Sequence, residues 1–517
     1  MSAMRLLAAV ALLAVAVTVS SCAVGPDFKP AAPPDTDRYT KEPLPSTTAS
    51  AGAGGQAQRF ERSRDIPAEW WTLFRSAKLN ALIERSLTSN PSLEAAVAAM
   101  RVAQENTRVQ EGKFFPIVQG NFNPNRLTTP ANALGSTHVL ADGSTTNTFN
   151  VVTSQVIVSY TIDVWGQNRR AVESLQAQAN SQRFQVEAAY LTLASNVALA
   201  AIQEGSLREQ IGATRQLIGI NTRALGIMRR QLSAGYSNRI DVAAQEAQLA
   251  QDAATLPPLE KQLAFQRDLL SALTGRYPSE EPSEKFVLSS FHLPQDLPVS
   301  LPSELVEQRP DIRAAEEQAH SAAAQIGVAI ANELPNFTIS ANGGYTNTAL
   351  AALADYVSPA NRFLTVAGNI THTIFDGFTL LHQKRAAEAA YDQAAAQYRA
   401  VVIGSFQNVA DTLRALQADA RAVQAAATFE RASKTSFDLV QQQFNTGYAN
   451  ILLLLNAQHS YLQAKLALIQ ARANRLSDTV ALFQALGGGW WNKPDSISPE
   501  SDELAQKDKL VPNVLGR

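Results

Sequence analysis

The sequence predicts a mainly α-helical membrane protein. Long antiparallel coiled-coil helices join four β-strands per chain of membrane-barrel type, arranged as an internal duplication. Apolar residues recur every three, four or seven positions through long stretches dominated by Ala, Gln and Leu. Two pairs of shorter segments alternate apolar and polar residues with a period of two. The same order of motifs is written twice, at offsets of 211 to 219 residues, far longer than a solenoid repeat. With 517 residues, a formal net charge of −2 and no clustering of Lys and Arg, the chain carries no electrostatic footprint for nucleic acid.

The first element is a targeting segment. Arg5 is followed by a fourteen-residue apolar run, Leu6–Val19, and then by Ser20, Ser21 and Cys22. A basic start, a short apolar run and small residues at its end predict a secretory signal peptide over residues 1–21. The run falls short of the roughly 20 residues that a spanning helix needs. Cys22 is the only cysteine, so no disulfide forms within the chain. Val19-Ser20-Ser21-Cys22 resembles a bacterial lipobox, which implies that Cys22 becomes the acylated first residue. Ala23 stands where an Asp would retain such a lipoprotein in the inner membrane. The acyl chains are then a secondary tether of modest membrane affinity.

Residues 22–68, rich in Pro, Ala, Gly and Ser, read as an extended, poorly ordered linker behind that anchor. Order starts near Trp70 and Trp71. The first half then runs as a helical segment (69–116), a β-hairpin (117–164) and a long helical hairpin (165–274). A Pro-rich equatorial linker, 275–302, is unsuited to helix. It leads into a second helical segment (303–336), a second β-hairpin (337–375) and a second long helical hairpin (376–486). Residues 487–517 read as a polar tail. Pro91 to Pro116 and Pro310 to Pro335 each span 25 residues, while Gly166 corresponds to Gly377 and Gly235 to Gly447.

In the first hairpin, strands near Ile117–Asn125 and Thr153–Val164 flank a polar, turn-rich loop. Val156, Val158, Tyr160, Ile162 and Val164 alternate with Ile157, Ser159, Thr161 and Asp163, the dyad of a strand with one face toward lipid. The second hairpin, Phe337–Tyr345 and Leu364–Ile374, places Phe337, Ile339, Ala341, Gly343 and Tyr345 on one face. Four strands do not close a membrane barrel, and lipid tolerates no open sheet edge. Spanning strands therefore need further copies of the chain. The pattern alone also fits a small soluble sheet capping a helical domain.

Along Gly166–Ala234, Leu175, Ala179, Val186, Tyr190, Leu193 and Val197 begin a coiled-coil spacing that continues to Leu232. These 69 residues make a helix on the order of 100 Å long. Two shorter helices placed end to end match it, 237–274 with 303–334, together 70 residues. For Gly377–Thr446, also 70 residues, the match is 449–486 with 79–113, together 73. The geometry is a bundle of constant length with strands at one end. At the other end, Gly235 and Gly447 mark where long helices turn back.

The stretches CAVGPDFKP (from Cys22), WWTLFRSAKLNALIERSLTSNPSL (from Trp70), SYTIDVWGQNR (from Ser159), SAGYSNRIDVAAQEAQLA (from Ser233), LPSELVEQRPDIRAAE (from Leu301), FDG (from Phe375) and VALFQALGGGW (from Val480) resemble the NodT-type outer-membrane efflux lipoproteins. These are relatives of TolC and of the outer channels of tripartite drug pumps. The resemblance covers roughly residues 20–491. It implies a homotrimer in which twelve strands, four per chain, form one transmembrane β-barrel and twelve helical tracks form a periplasmic α-barrel. It also implies a passive conduit for small toxic compounds in the outer membrane of a Gram-negative bacterium. The partners implied are outer membrane lipid, a periplasmic adaptor (membrane fusion) protein and an inner-membrane transporter of the proton-driven resistance-nodulation-division type.

In that family the returning helix of the second half closes the tunnel like an iris, using carboxylates, an Arg and an apolar residue. By position after Gly447 the matching places are Leu452, Asn456 and His459, which share one helix face at i, i+4 and i+7. The sequence departs from the family's pattern here. Asn456 removes the usual acid, and His459 puts a titratable type of side chain where a permanent charge is usual. A closed state then rests more on hydrogen bonds and the apolar run Ile451–Leu455 than on ion pairs, with weaker selectivity for cations. The resemblance places adaptor contacts at the tip, on Gly235, Tyr236, Asp241, Gly447 and Tyr448. The plain alternatives are a wet helix face for Asn456 and His459, and an ordinary helix-start acid for Asp241.

No P-loop, HExxH, GxSxG, EF-hand loop or CxxC occurs, and the six histidines lack metal-ligand spacing. No catalysis, cofactor or metal is expected. Two other functions share parts of the pattern. A conduit for type I protein secretion uses the same fold. A non-conducting coiled-coil structural lipoprotein explains the helical repeat, but neither the paired hairpins nor the matched helix lengths.

Overall fold

The computed structural model describes residues 23–50, 55–62, 64–130, 146–347 and 357–493. The signal segment, Cys22 and the chain beyond residue 493 lie outside them. In chain order the elements are β1 (Arg59–Arg62), α1 (Ala77–Ser89), α2 (Pro91–Glu111), β2 (Ile117–Pro130), β3 (Thr146–Ile162), α3 (Gln167–Ser233), α4 (Arg239–Ala254) and α5 (Leu256–Leu273). There follow β4 (Asp296–Val299), α6 (Pro302–Gln308), α7 (Pro310–Asn332), β5 (Asn336–Asn347), β6 (Arg362–Thr371), α8 (Thr379–Asn445) and α9 (Ile451–Ala485). They form two compact units. One comprises the described parts of 1–30, 100–182 and 315–398, the other those of 31–99, 183–314 and 399–517.

The first unit carries an antiparallel sheet in the order β2-β3-β5-β6. Its register aligns Val118, Val158, Ala341 and Val366 in one row, and Gln119, Ile157, Asn342 and Thr365 in the next. Because successive side chains alternate in face, one side of the sheet is apolar and the other largely polar. Val118, Phe122, Val156, Ile339, Leu364, Val366 and Ile370 are all exposed. On the polar side, Thr153 and Thr161 pair by their hydroxyls with Thr346 and Thr338, each at 3.3 Å. The first hairpin extends beyond the expected strand ends, to Pro130 and back from Thr146, whereas β6 stops at Thr371, short of Ile374.

Each long helix leaves the sheet through an Asp cap. Asp163 accepts the N–H groups of Asn168 (2.9 Å) and Arg169 (3.0 Å) at the start of α3. Asp376 accepts those of Thr379 (3.1 Å) and Leu380 (2.8 Å) at the start of α8. These carboxylates satisfy N–H groups that have no partner within the helix. Both helices then run for 67 residues.

The expectation of a poorly ordered linker over 22–68 is corrected at both ends of that segment. In the first unit, Arg170 donates to the Val24 carbonyl (3.1 Å) and pairs with Asp27 (2.7 Å), while Phe28 stacks on His320 at 4.6 Å. In the second unit, β1 pairs in parallel with β4, a strand that lies inside the expected equatorial linker. There Arg475 of α9, fully buried, donates to Gln58 (3.2 Å) and Thr48 (3.1 Å). Composition marks such segments as unable to build a core of their own. It does not show the buried Arg or the strand that recruits them.

The second unit holds the main core. Trp70, Trp71, Phe74, Leu79, Leu82, Ile202, Phe286 and Phe483 are buried together, with Trp70 stacked on Phe483 at 5.4 Å. The expected polar tail starts later than residue 487. Trp490 donates its indole N–H to the Gln308 carbonyl (2.6 Å) and Trp491 donates to Asp65 (3.0 Å). Three glycines, 487–489, all at positive φ, let the backbone cross directly against Gln308, Leu191 and Ile66.

Helices expected to be continuous are broken at prolines. Asn90 and Arg309 adopt extended backbone before Pro91 and Pro310, so 79–113 and 303–334 each divide. The clash of the proline ring with the preceding residue forces this. The expected 237–274 helix divides at Thr255, ahead of Pro257 and Pro258 in the first turn of α5.

Candidate functional site at the helical tip

Two turns of one design lie in the second unit. After α3, Gly235 donates to the Leu232 carbonyl (3.1 Å) and Tyr236 to Gln231 (2.8 Å). After α8, Gly447 donates to Phe444 (3.0 Å) and Tyr448 to Gln443 (2.8 Å). This is the Schellman pattern, which needs a left-handed residue at the glycine; φ is +78° at Gly235 and +82° at Gly447. Three residues after each glycine an Asn begins the return. Asn238 accepts the N–H of Asp241 (2.8 Å) and Asn450 that of Leu453 (2.9 Å). The motif Gly-Tyr-Ser/Ala-Asn is therefore a C-cap joined to an N-cap with two residues between.

The side chains at these turns face outward. Tyr236 is 86% exposed and Tyr448 is 88%, and Ile240, Leu452 and Leu453 are also exposed. Asp241 is half-buried in the first turn of α4, and its carboxylate has no partner among the described residues. The two hairpins meet through Ile451, which packs with Leu225, Met228 and Val242. Arg229 and Glu246 bridge α3 to α4 at 2.6 Å.

Leu452, Asn456 and His459 do share one face of α9. The first two are exposed, and half-buried His459 lies with its Nε2 2.8 Å from the Gln463 amide nitrogen. The opposite face is packed. Leu454 and Ala457 join Phe437 and Val440 of α8, with Ile220 of α3 beside them. The expected gate residues therefore point away from the chain's own core.

Sequence reasoning missed the polar residues beneath that surface. Gln458 is buried, and neither its Nε2 nor its Oε1 has a partner among the described residues. Asp252 is buried as well, held by the Asn221 amide (2.6 Å) and the Gln248 amide (2.9 Å). Further along α9, burial and then the charge of Asp419 push the Asp478 carboxyl up to about 7. Their signal was present but ambiguous, since a Gln or Asp in an Ala-rich helix reads as a solvated position.

A sheet with one apolar and one polar face, joined to helices of 67 residues, defines the class of an outer-membrane channel subunit. The model of the family described as "Outer membrane efflux protein" matches residues 82–276 and 301–488. The chain therefore belongs to the outer membrane efflux protein family, and the resemblance read from its motifs is borne out at that level. It is similar to the pyoverdine export outer membrane protein OpmQ of Pseudomonas putida, 28% identical over 87% of this chain and 94% of the relative. It is also similar to outer membrane protein OprJ of Pseudomonas aeruginosa, 27% identical over 93% and 96%. The solved Campylobacter jejuni CmeC outer membrane channel shares the fold, with a TM-score of 0.82 at 20% identity, over 94% of this chain and 98% of that one. The protein is thus an outer-membrane efflux protein, of a family of channels rather than enzymes.

Proposed function

We propose that three copies of this chain assemble into a twelve-stranded transmembrane β-barrel continued by a periplasmic α-barrel, the outer-membrane channel of a tripartite pump. The observation that carries this is the sheet's two edges, β2 and β6, which have no outer partner among the described residues. These strands are 14 and 10 residues long, and their apolar side chains are exposed. In hydrocarbon each unsatisfied backbone group costs several kcal/mol, so open edges of this length would cost on the order of tens of kcal/mol. Pairing β6 of one copy with β2 of the next removes that cost and closes the barrel after three copies.

In this reading residues 1–21 are removed and Cys22 is acylated. The turns at Gly235, Tyr236, Asp241, Gly447 and Tyr448 receive a periplasmic adaptor. An inner-membrane transporter of the resistance-nodulation-division type supplies the energy. Leu452, Asn456 and His459 face the tunnel axis and narrow it like an iris, with Asn456 in place of a charged constriction. The cargo is a small compound chosen upstream by the transporter.

The test is single-channel conductance of the purified protein in planar bilayers. A small, flickering conductance that grows when Gly447 is replaced by a bulky charged residue supports a channel gated at the tip. Persistent silence in both proteins, with intact oligomers, would remove the tunnel.

A further inference from the structure

Behind the tip, α3 and α4 bury a carboxylate that has no ion pair among the described residues. Asp252 is 3% exposed, and Asn221 and Gln245 are fully buried with it. Asn221 links the three. Its Nδ2 donates to one Asp252 oxygen (2.6 Å), and its backbone carbonyl accepts from Gln245 Nε2 (3.3 Å). Gln248 donates to the other Asp252 oxygen (2.9 Å). Every amide nitrogen of the cluster is therefore already donating. The oxygens on the same amides, Asn221 Oδ1 and Gln245 Oε1, are buried without a hydrogen-bond partner among the described residues. One turn nearer the tip, Leu225, Met228 and Val242 pack together.

Two amide donors soften the cost of a buried carboxylate but do not neutralise it. The position of Asp252 adds to that cost. It lies in the last turn of α4, where the helix dipole presents partial negative charge. α5 starts at Leu256, yet Pro257 and Pro258 bring no N–H groups to offset this. The basic residues to either side in α3 are committed elsewhere, Arg215 to Glu260 and Arg229 to Glu246, both at 2.6 Å, and Arg223 is exposed.

What the cluster lacks is one positive charge. A carboxylate and two neutral amide oxygens are hard donors with a total charge of −1, which suits a hard monovalent cation. A divalent ion would leave a buried excess of positive charge. Among the described residues there is also no group of three His, Cys, Asp or Glu to hold a metal. We infer that Asp252, Asn221 Oδ1 and Gln245 Oε1 bind a single sodium ion between α3 and α4, pinning that hairpin behind its turn. All three residues belong to one chain, so the site does not rest on the channel reading.

The test is thermal unfolding of the full-length protein in detergent, in sodium chloride and in choline chloride at equal ionic strength. Sodium should raise the melting temperature by a few degrees, with the gain growing as the logarithm of sodium concentration once the site fills. Asp252→Asn keeps the shape and removes the charge, so the gain should vanish. Gln245→Leu removes one oxygen and no charge, and should raise the sodium concentration needed several-fold. No sodium gain in the parent would overturn the site and leave water among these oxygens. An equal gain in the parent and in Asp252→Asn would overturn it too, by placing the action of sodium elsewhere. If Asp252→Asn fails to fold, Gln245→Leu decides, and an unshifted sodium dependence there overturns the site.

Discussion

Asp419 of α8 and Asp478 of α9 are half-buried carboxyl groups close enough for the charge of Asp419 to push the Asp478 carboxyl up. Burial raises both groups, Asp478 to about 7, so Asp478 keeps its proton well above the pH at which a free Asp loses it. Arg475, one turn before Asp478, offers limited compensation. Its own pKa is lowered by burial, and its Nη1 has no partner among the described residues.

The sign of the resulting pH dependence follows. Between the ordinary Asp value, 3.8, and about 7 the folded state holds a proton that the unfolded state has lost, so stability falls as pH rises through that window. Asp478→Asn keeps a donor and removes the titration. It should add about 1 kcal/mol at pH 8, a figure reduced for partial exposure, and little at pH 5. Melting temperatures of detergent-solubilised protein at the two pH values check this; an equal gain at both would refute the raised Asp478.

The tip glycines permit a separate test of backbone strain. No atom lies within 4 Å of where a Cβ would stand on Gly235 or Gly447, so substitution meets only the left-handed backbone. Gly235→Ala or Gly447→Ala should cost about 1 kcal/mol each, and Gly→Asn less. Denaturant titration measures the difference. A loss several times larger would mean that assembly packs these turns closely.

The strap at the start of the described chain yields a third expectation. Arg170 is buried and binds Val24, Gly25 and Asp27 through one guanidinium. Arg170→Ala should release residues 23–28, at a local cost of about 2 kcal/mol. Limited proteolysis should then cut that segment several times faster, and an unchanged digest would show that the Phe28–His320 stack suffices.

Much of the fold was legible because its boundaries are written locally. Gly235, Gly447, Asn238 and Asn450 act on their own turns, so a helix expected over Gly166–Ala234 is found over Gln167–Ser233. Strand alternation was legible for the same reason, since face follows parity. What was not legible depends on distant partners. Arg475 gathers Thr48 and Gln58 from more than 400 residues away, and β1 exists only because β4 lies beside it. At the tip the exposed face of α9 could be read from spacing, but the buried amide of Gln458 could not. An Ala-rich helix does not show which of its polar positions turns inward.

Gln458 gives a fourth expectation. Its buried amide has two atoms without a hydrogen-bond partner among the described residues, an arrangement that costs roughly 1–3 kcal/mol unless water fills it. Gln458→Leu preserves volume and should stabilise the purified protein by about 1 kcal/mol, measured as a raised melting temperature. If the polar layer lets the α8–α9 pair shift as the tip opens, conductance should fall in the same variant. Stabilisation without that fall would make the amide a passive defect.

The fifth expectation concerns charge at the constriction. Asn456 is exposed on the face of α9 that it shares with Leu452 and His459, and in the proposed trimer, with that face toward the tunnel, three copies of this neutral amide surround one axis. Asn456→Asp would place three carboxylates there without altering the packed face of the helix. Rings of carboxylates draw cations into a narrow pore, and three like charges in a low-dielectric throat act far beyond what one does in open solvent. The cation-to-anion permeability ratio from reversal potentials in a salt gradient should rise several-fold at low ionic strength and return toward the parent value at high salt. His459→Arg should move the ratio the opposite way. If neither substitution shifts the reversal potential in a conducting trimer, this face of α9 does not line the narrowest part of the pore, and the constriction belongs to another helix.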